Sequence, residues 1–221
     1  MLRAPMDLTT RLLEGVRIVI PLVLSLSVHE WAHAYSAYRL GDDTAKRLGR
    51  LTLNPLAHID PIGSVLLPLM GVPFGWAKPV PVNPVRFTRK LHMRTGMMIT
   101  ASAGPASNFV LALLCIVILG VLPRFALDNK ALQDLLVLGF EMNIRLAVFN
   151  MLPIPPLDGS RVAEWLMPTR LRPQWEQLAR LSPVLLLLLI MVPGFGSQLL
   201  SWPIQRAEEF GAGLLVAIRG D

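Results

Sequence analysis

The chain has 221 residues, of which 53% are hydrophobic and only 16% are charged, and its mean hydropathy is +0.52. A typical soluble domain is about 25% charged, so a soluble globular enzyme and a disordered chain are both poor interpretations. The single cysteine, Cys115, can form no internal disulfide, which excludes a disulfide scaffold. The net charge of +6 does not indicate a nucleic-acid partner, because basic residues in so apolar a chain suit cytoplasmic loops and anionic lipid headgroups.

Three stretches of the sequence contain no Asp, Glu, Lys or Arg: 61–77, 95–123 and 181–205. A helix that crosses a bilayer needs about 20 apolar residues, and the second and third stretches meet this length. The sequence therefore predicts an all-α polytopic membrane protein with about four transmembrane helices. We expect a single membrane-embedded domain over 1–221, with its core at 9–165.

The predicted elements begin with a long helix over 9–40, which ends before Gly41. Residues 50–54 alternate polar and apolar side chains and predict a small strand-like loop near the active site. The stretch 61–77 is interrupted by prolines and glycines, so a re-entrant or short broken helix is favoured over a simple span. The later helices are predicted at 95–122, 131–152, 159–180 (basic and amphipathic) and 181–200, followed by an interfacial tail at 204–219.

The distribution of basic residues predicts the orientation of the chain in the membrane. Thirteen of the 21 Lys and Arg residues lie in 39–94 and 161–180. Cytoplasmic loops carry the excess of Lys and Arg, so both regions are expected on the cytoplasmic side. We accordingly predict an integral membrane protein whose basic loops face the cytoplasm.

The sequence His29-Glu30-Trp31-Ala32-His33 is an H-E-x-x-H motif inside the first predicted span. Residues four apart share one face of a helix, so both imidazoles can bind one metal ion, and Glu30 can serve as a general base toward water. Ionisable residues inside a span are costly without a partner, and a metal ion supplies one. The alternative is a buried polar cluster that only bonds to neighbouring helices.

A catalytic zinc site usually takes three protein ligands, so a third ligand is needed. Glu141 is a candidate, but Arg145 lies four residues away and offers it an ion pair. Glu164 lies in the basic amphipathic segment and suits a surface position. Asp158 follows the prolines that end the predicted helix 131–152, and it is expected on the cytoplasmic side, as are His29 and His33. An Asp-Gly pair taken alone, however, indicates an ordinary turn.

Two blocks of the sequence, HEWAH at 29–33 and NMLPIPPLDG at 150–159, together resemble the paired signature of the site-2 protease family, which are intramembrane zinc metalloproteases. The second block matches the pattern N-x-x-P-x-P-x-L-D-G at every defined position. Similar stretches occur at 49–61 (GRLTLNPLAHIDP), 75–84 (GWAKPVPVNP) and 103–108 (AGPASN). The resemblance covers about residues 20–165 and is to compact bacterial and archaeal members without a PDZ or CBS domain. It implies a bacterial inner (plasma) membrane as the location, with the active site toward the cytoplasm.

The resemblance implies that His29, His33 and Asp158 ligate one Zn²⁺ ion and that Glu30 activates water. Asn150 matches the motif asparagine, for which substrate contact, oxyanion support and capping of freed backbone all remain open. Asn108 is a second candidate for lining the substrate groove, with hydrogen bonding between helices as the alternative.

The predicted function is an intramembrane zinc endopeptidase that cleaves a transmembrane segment of a single-span membrane protein. The expected partners are that substrate and the lipid bilayer, with no nucleic acid, and the sequence leaves the oligomeric state open. The alternative is a membrane transporter or a metal-binding membrane scaffold without proteolytic activity. A transporter usually shows internal repeats, and the sequence contains none.

Overall fold

The structure is a computed structural model that describes residues 8–70, 75–88, 90–122, 129–191 and 195–220. Six helices of eight or more residues form its framework, and we number them in chain order. They are α1 (Leu8–Arg39), α2 (Met93–Val121), α3 (Lys130–Asn150), α4 (Asp158–Leu166), α5 (Arg172–Met191) and α6 (Phe195–Arg219). Shorter helical turns lie at Thr44–Arg47, Pro55–Ala57, Pro61–Leu66, Leu67–Leu69, Pro84–Arg86 and Thr169–Leu171.

The first three long helices match their predicted positions within two residues at each end. Helix α1 ends at Arg39, and Gly41 follows with a φ of 107°, a backbone conformation that glycine adopts without strain. Asn129 is the N-cap residue of α3, and its side chain accepts a hydrogen bond from the Leu132 amide. The prediction of an all-helical chain is confirmed for the described residues.

The predicted boundaries after residue 158 are wrong. The helix expected over 159–180 ends at Leu166, because the residue before Pro168 disfavours helical backbone and the proline ring cannot continue the helix. A new helix, α5, then joins the basic residues of 172–180 to the leucine run, with Pro173 in its first turn. The span expected at 181–200 is therefore divided between α5 and α6, and residues 192–194 lie outside the described residues.

The strand-like loop predicted at 50–54 is also wrong, because these residues form irregular backbone and the described ranges contain no strand. An alternating pattern forms a strand only where a second strand pairs with it. In this loop, side chains rather than a second strand form hydrogen bonds with the backbone groups. His58 Nε2 bonds the Thr52 carbonyl at 2.8 Å, and Asn54 caps the turn at Pro55–Ala57.

The broken segment after residue 60 begins as predicted. Asp60 accepts hydrogen bonds from the amides of Ile62 and Gly63 and so caps a helical stretch that ends at Leu69. Nine residues at about 1.5 Å each extend roughly 14 Å, which is too short to cross a bilayer. Residues 71–74 of this prediction lie outside the described residues.

Helix α2 lies at the centre of the structure, where it contacts α1, α3, α4 and α6. The main apolar cluster lies between α2 and α3 and is formed by Ala112, Ile116, Phe140 and Ile144. Helix α6 covers this cluster, so the three elements share one core. This arrangement brings the inner faces of α1, α2 and α4 together.

Two helices of the described chain are long and apolar enough to cross a membrane, at Gly15–Arg39 and Met93–Val121. Large apolar side chains are exposed along the outer face of α2, including Leu114, Val117 and Val121. The predicted count of four spans stays a prediction.

Candidate metal centre

The site begins on the inner face of α1, where His29 and His33 lie one turn apart. Their Nε2 atoms are 2.9 Å apart. The Oδ2 atom of Asp158, the first residue of α4, lies 3.2 Å from His29 Nε2 and 3.3 Å from His33 Nε2. The structure thus brings together three residues that the sequence separates by up to 129 positions, and their ligand atoms could hold one metal ion.

The outer nitrogen of each imidazole has an oxygen partner. His29 Nδ1 lies 2.6 Å from Asn108 Oδ1, and His33 Nδ1 lies 2.7 Å from the backbone carbonyl of Thr100. Carbonyl oxygens only accept, so both Nδ1 atoms donate and neutral rings present lone pairs at Nε2. Two lone pairs and the Asp158 carboxylate then face one another, and only a proton or a cation relieves their repulsion.

This donor set fits zinc. Tetrahedral ligands about 2.0–2.1 Å from zinc lie roughly 3.3 Å apart, close to the Asp158–imidazole distances. Imidazole and carboxylate are ordinary zinc ligands, and a hydrogen bond from the second ring nitrogen is typical of zinc-bound histidine. Three protein ligands leave a fourth position for water or substrate.

Glu30 lies beside this cluster, buried to 9% exposure, and lines the same cavity. Its Oε2 accepts a 2.7 Å hydrogen bond from the Val80 amide. The backbone around Val80 is itself held in place. The carbonyl of Lys78 accepts from Arg50 Nη2 at 2.6 Å, and the Lys78 amide donates to the His58 carbonyl. The Glu30 carboxylate is therefore held by the Val80 segment, and that segment is held in turn by Arg50 and the His58 carbonyl.

Close approach of the backbone at two glycines makes room for the site. A Cβ atom on Gly104 would lie 2.5 Å from His33 Cε1 and Nε2 and 2.6 Å from His29 Cε1. At Gly159, a Cβ atom would overlap the Met151 carbonyl, so glycine lets the 151–157 loop fold back onto the start of α4. Gly104 thus allows the close approach of α2 to the two imidazoles, as small residues do between packed membrane helices.

A cavity of about 810 Å³ extends from His29, Glu30, His33 and Asp158 along the inner face of α1. Its walls are mostly apolar and include Ile18, Leu22, Leu26, Leu138, Leu200 and Ile204. The irregular backbone at 75–82 forms another wall, whereas the predicted strand-like residues 50–54 do not line it. The candidate metal site therefore opens into a mostly apolar cavity.

The two asparagines predicted to contact substrate occupy different places. Asn150 lines the cavity, and its Nδ2 donates to the Leu146 carbonyl at 3.0 Å. Asn108 is fully buried between helices and bonds His29, Asn143 and the Ser25 carbonyl. The position of Asn108 matches the interhelical alternative rather than substrate contact.

The other acids considered as a third ligand have different partners. Glu141 pairs with Arg145 at 3.1 Å, as the four-residue spacing predicts, and Glu164 pairs with Arg161 at 3.0 Å on the exposed side of α4. Neither belongs to the group of ligand atoms around His29 and His33. Among these three acids, geometry favours Asp158.

Three contributors to the site were missed by the sequence analysis. The Val80 amide and the Thr100 carbonyl are backbone groups, which no side-chain motif reveals. Asn143 is a side chain, and a signal for it existed. It is a polar residue within a predicted span, and such residues usually have a function or a partner.

Comparison with known proteins gives a family for this site. Residues 125–192 match the model of Peptidase family M50. The chain is 40% identical over 195 residues to "Putative zinc metalloprotease YwhC" of Bacillus subtilis (strain 168), with 86% of each chain covered. It is 34% identical over 146 residues to "Putative zinc metalloprotease Rip2" of Mycolicibacterium smegmatis, covering 65% of this chain and 54% of that protein.

The protein of the same name from Mycobacterium tuberculosis (strain H37Rv) is 30% identical over 183 residues, covering 80% of this chain and 68% of that protein. The comparison with solved structures found no match. Extensive similarity to a relative of nearly equal length, together with the family match, favours a peptidase over the transporter and scaffold alternatives. The chain belongs to peptidase family M50, the site-2 protease family, and is a membrane zinc metallopeptidase.

Proposed function

We propose that this protein is an intramembrane endopeptidase that cleaves a transmembrane segment of a single-span membrane protein. The observation that carries this proposal is the shared cavity. The three candidate ligands and Glu30 face a mostly apolar groove that follows the inner side of α1, one of the two helices able to cross a bilayer. An apolar groove of this size suits a stretch of hydrophobic polypeptide better than a small polar substrate.

The residues divide the chemistry between them. His29, His33 and Asp158 would hold zinc, which would polarise the scissile carbonyl and make water nucleophilic near neutral pH. Glu30 accepts the proton of the attacking water and returns it to the leaving amine. The Val80 amide keeps the Glu30 carboxylate aimed into the cavity. The apolar walls limit the water around the reacting groups, which strengthens every electrostatic contact there.

Two roles for Asn150 follow from its position in the cavity wall. Its amide could support the developing oxyanion, as a preorganised hydrogen-bond donor would. The alternative role is to cap backbone freed near the prolines. Either role requires the amide to leave its present partner, the Leu146 carbonyl one turn back in α3.

The environment we propose is a bacterial plasma membrane, with the site toward the cytoplasm and no nucleic-acid partner. The basic loops around 39–94 and 161–180 favour the cytoplasmic side. The site lies near the end of α1 that leads into the first of these loops, which gives water a short path to it.

The experiment compares Glu30→Gln with the unaltered protein, both reconstituted in liposomes with a single-span substrate. We expect the exchange to leave zinc content unchanged and to reduce cleavage by about 10²–10⁴-fold, because the general base is lost. Glu209→Gln is the matched control, since it makes the same carboxyl-to-amide change at an exposed ion pair with Arg206 on α6, and neither residue lines the cavity.

Persistent cleavage by Glu30→Gln would refute the role of Glu30. Soluble peptides cut as well as a membrane-embedded segment would refute the intramembrane substrate class. Zinc bound by the unaltered protein without cleavage of any tested substrate would restore the scaffold alternative.

A further inference from the structure

A buried network of polar side chains joins the candidate metal site to α3. It consists of Asn143 on α3, Asn108 on α2, and Ser25 and His29 on α1, and none of them is more than 5% exposed. Polar groups buried among apolar helices are costly unless their donors and acceptors are paired. The hydrogen-bond directions in this network are therefore informative.

The donor-to-acceptor direction of these hydrogen bonds is set at the Gly139 backbone carbonyl, because a carbonyl can only accept. Asn143 Nδ2 donates to the Gly139 carbonyl at 2.8 Å and to Ser25 Oγ at 2.9 Å. With its nitrogen held there, Asn143 must point its Oδ1 the other way. That oxygen accepts from Asn108 Nδ2 at 2.8 Å.

The orientation of the Asn108 amide determines which of its atoms faces the His29 imidazole. Its Nδ2 donates to Asn143 Oδ1 and, at 3.3 Å, to the Ser25 carbonyl, so its Oδ1 faces His29 Nδ1 at 2.6 Å. An amide oxygen cannot donate, so the proton of neutral His29 lies on Nδ1. The lone pair on Nε2 is then directed toward His33 and Asp158.

The two candidate histidine ligands differ in how they are oriented. His33 Nδ1 donates to the Thr100 carbonyl, a backbone group that cannot rotate. His29 Nδ1 faces a side-chain amide, which could present either its oxygen or its nitrogen. Asn143 Oδ1 removes this ambiguity together with the Ser25 carbonyl, because both oxygens accept only from Nδ2 of Asn108.

We propose that Asn143 is a positioning residue that acts through Asn108 to hold His29 in the zinc-binding tautomer. The inference rests on the proposed role of His29 as a zinc ligand. Residues that orient a metal ligand typically contribute 10–100-fold to metal affinity. Asn143 does not line the cavity, so this effect arises without contact with substrate.

The test measures zinc affinity of the full chain in detergent by competition with a chromophoric chelator. Asn143→Leu, which has similar volume but no polar group, is expected to bind zinc at least 10-fold more weakly. Ser27→Ala is the matched control. It removes a buried hydrogen bond within α1, to the Val23 carbonyl, that does not reach the histidines, and its zinc affinity should equal that of the unaltered protein.

A second set of variants, which carries Asn108→Asp, distinguishes an effect of Asn143 on the orientation of Asn108 from an effect on helix packing. A carboxylate at position 108 presents an acceptor oxygen to His29 whichever way it turns, so it no longer needs Asn143. In the Asn108→Asp background, Asn143→Leu should therefore lower zinc affinity less than about threefold, since it also removes an acceptor oxygen that faces the second carboxylate oxygen. If Asn143→Leu lacks the helical circular dichroism of the unaltered protein, Asn143→Ala replaces it in both backgrounds.

Each result bears on a separate claim. Unaltered zinc affinity in Asn143→Leu would overturn the proposal, as would an equal loss in both backgrounds, which would indicate a packing role alone. Zinc binding by His29→Ala as tight as that of the unaltered protein would instead refute the metal site itself. The failure of the positioning role is thus distinguishable from the failure of the proposed function.

Discussion

At the scale of single residues, the absence of one methyl group makes room for the two imidazoles, whose rings lie edge to face with centroids 4.6 Å apart. Gly104 lies on α2 directly against the His29 and His33 rings, which are held by hydrogen bonds at Nδ1. A real Cβ atom essentially never approaches another heavy atom within 3.0 Å, so any side chain at this position must displace a ring. Both rings can move only by lengthening a hydrogen bond that orients them.

The first prediction concerns the exchange Gly104→Ala. Because the new Cβ atom would lie 2.5–2.6 Å from ring atoms, we expect zinc affinity to fall about 10-fold or more. The measurement is zinc content after dialysis against a calibrated chelator.

Gly213→Ala serves as the control for that exchange, because it makes the same change in α6 where no atom lies within 4 Å of the added Cβ. It should retain zinc and could gain up to about 1 kcal/mol of helix propensity. Full zinc occupancy in Gly104→Ala would show that the rings have more freedom than their contacts indicate.

The motif residues themselves are predictable from sequence because they depend only on helical spacing. His29 and His33 share a face whenever 9–40 is helical, and Glu30 follows from the same register. The choice of Asp158 needed the resemblance, since spacing alone left Glu141 and Glu164 open. Orientation of the imidazoles by Asn108 and Thr100 could not be read from the sequence, because those contacts cross between helices.

At the scale of elements, buried side chains fasten irregular loops to the end of α1. Asp42 is fully buried, and its two oxygens hold different segments. Oδ1 accepts from the Thr44 amide at 3.0 Å, and Oδ2 accepts from the Asn83 amide at 2.6 Å. Asp42 thus anchors the segment 75–83 that forms a wall of the cavity and carries the amide bonded to Glu30.

The second prediction is that Asp42→Asn lowers the free energy of unfolding by about 1–3 kcal/mol. The amide nitrogen would face a backbone N–H, leaving one buried donor without an acceptor. The measurement is thermal unfolding in detergent, followed by circular dichroism.

The neighbouring exchange Asp43→Asn is the control for that prediction. It removes only exposed ion pairs with Arg47 and Arg86, which contribute little net stability. A larger loss in Asp43→Asn than in Asp42→Asn would contradict the anchoring role of Asp42.

The elements also show where pattern-based prediction fails. Local apolar runs placed α1, α2 and α3 correctly, but the division of the C-terminal region depends on Pro168 and Pro173, which end one helix and begin another. The predicted strand-like residues lacked a pairing partner, and the side chain of Arg50 bonds the Lys78 carbonyl across the loops instead.

At the scale of the whole molecule, the asymmetric charges predict one orientation in the membrane. Lys46 follows α1 on the side of His33, whereas Lys130 begins α3, whose other end leads to Asp158. Both side chains are exposed, so both positions can report which side of a membrane they face.

The third prediction uses Lys46→Cys and Lys130→Cys, each in a Cys115→Ala background. An impermeant maleimide added to intact bacterial spheroplasts should label the cysteine at 130, and it should label the cysteine at 46 only after permeabilisation. Labelling in the reverse order would invert the proposed orientation, and labelling of both from outside would contradict a membrane between them.

The sequence by itself determined the membrane character, the main helices and the zinc-binding face of α1, because each depends on local composition or helical spacing. The tertiary structure decided which acid lies beside the two imidazoles, which side-chain oxygen faces His29 Nδ1 and which backbone amide bonds Glu30. Those outcomes depend on contacts between residues far apart in the chain, such as His29 with Asn108 and Glu30 with Val80. Only the packing of α1, α2, α3 and α4 around one cavity brings these groups within hydrogen-bond distance.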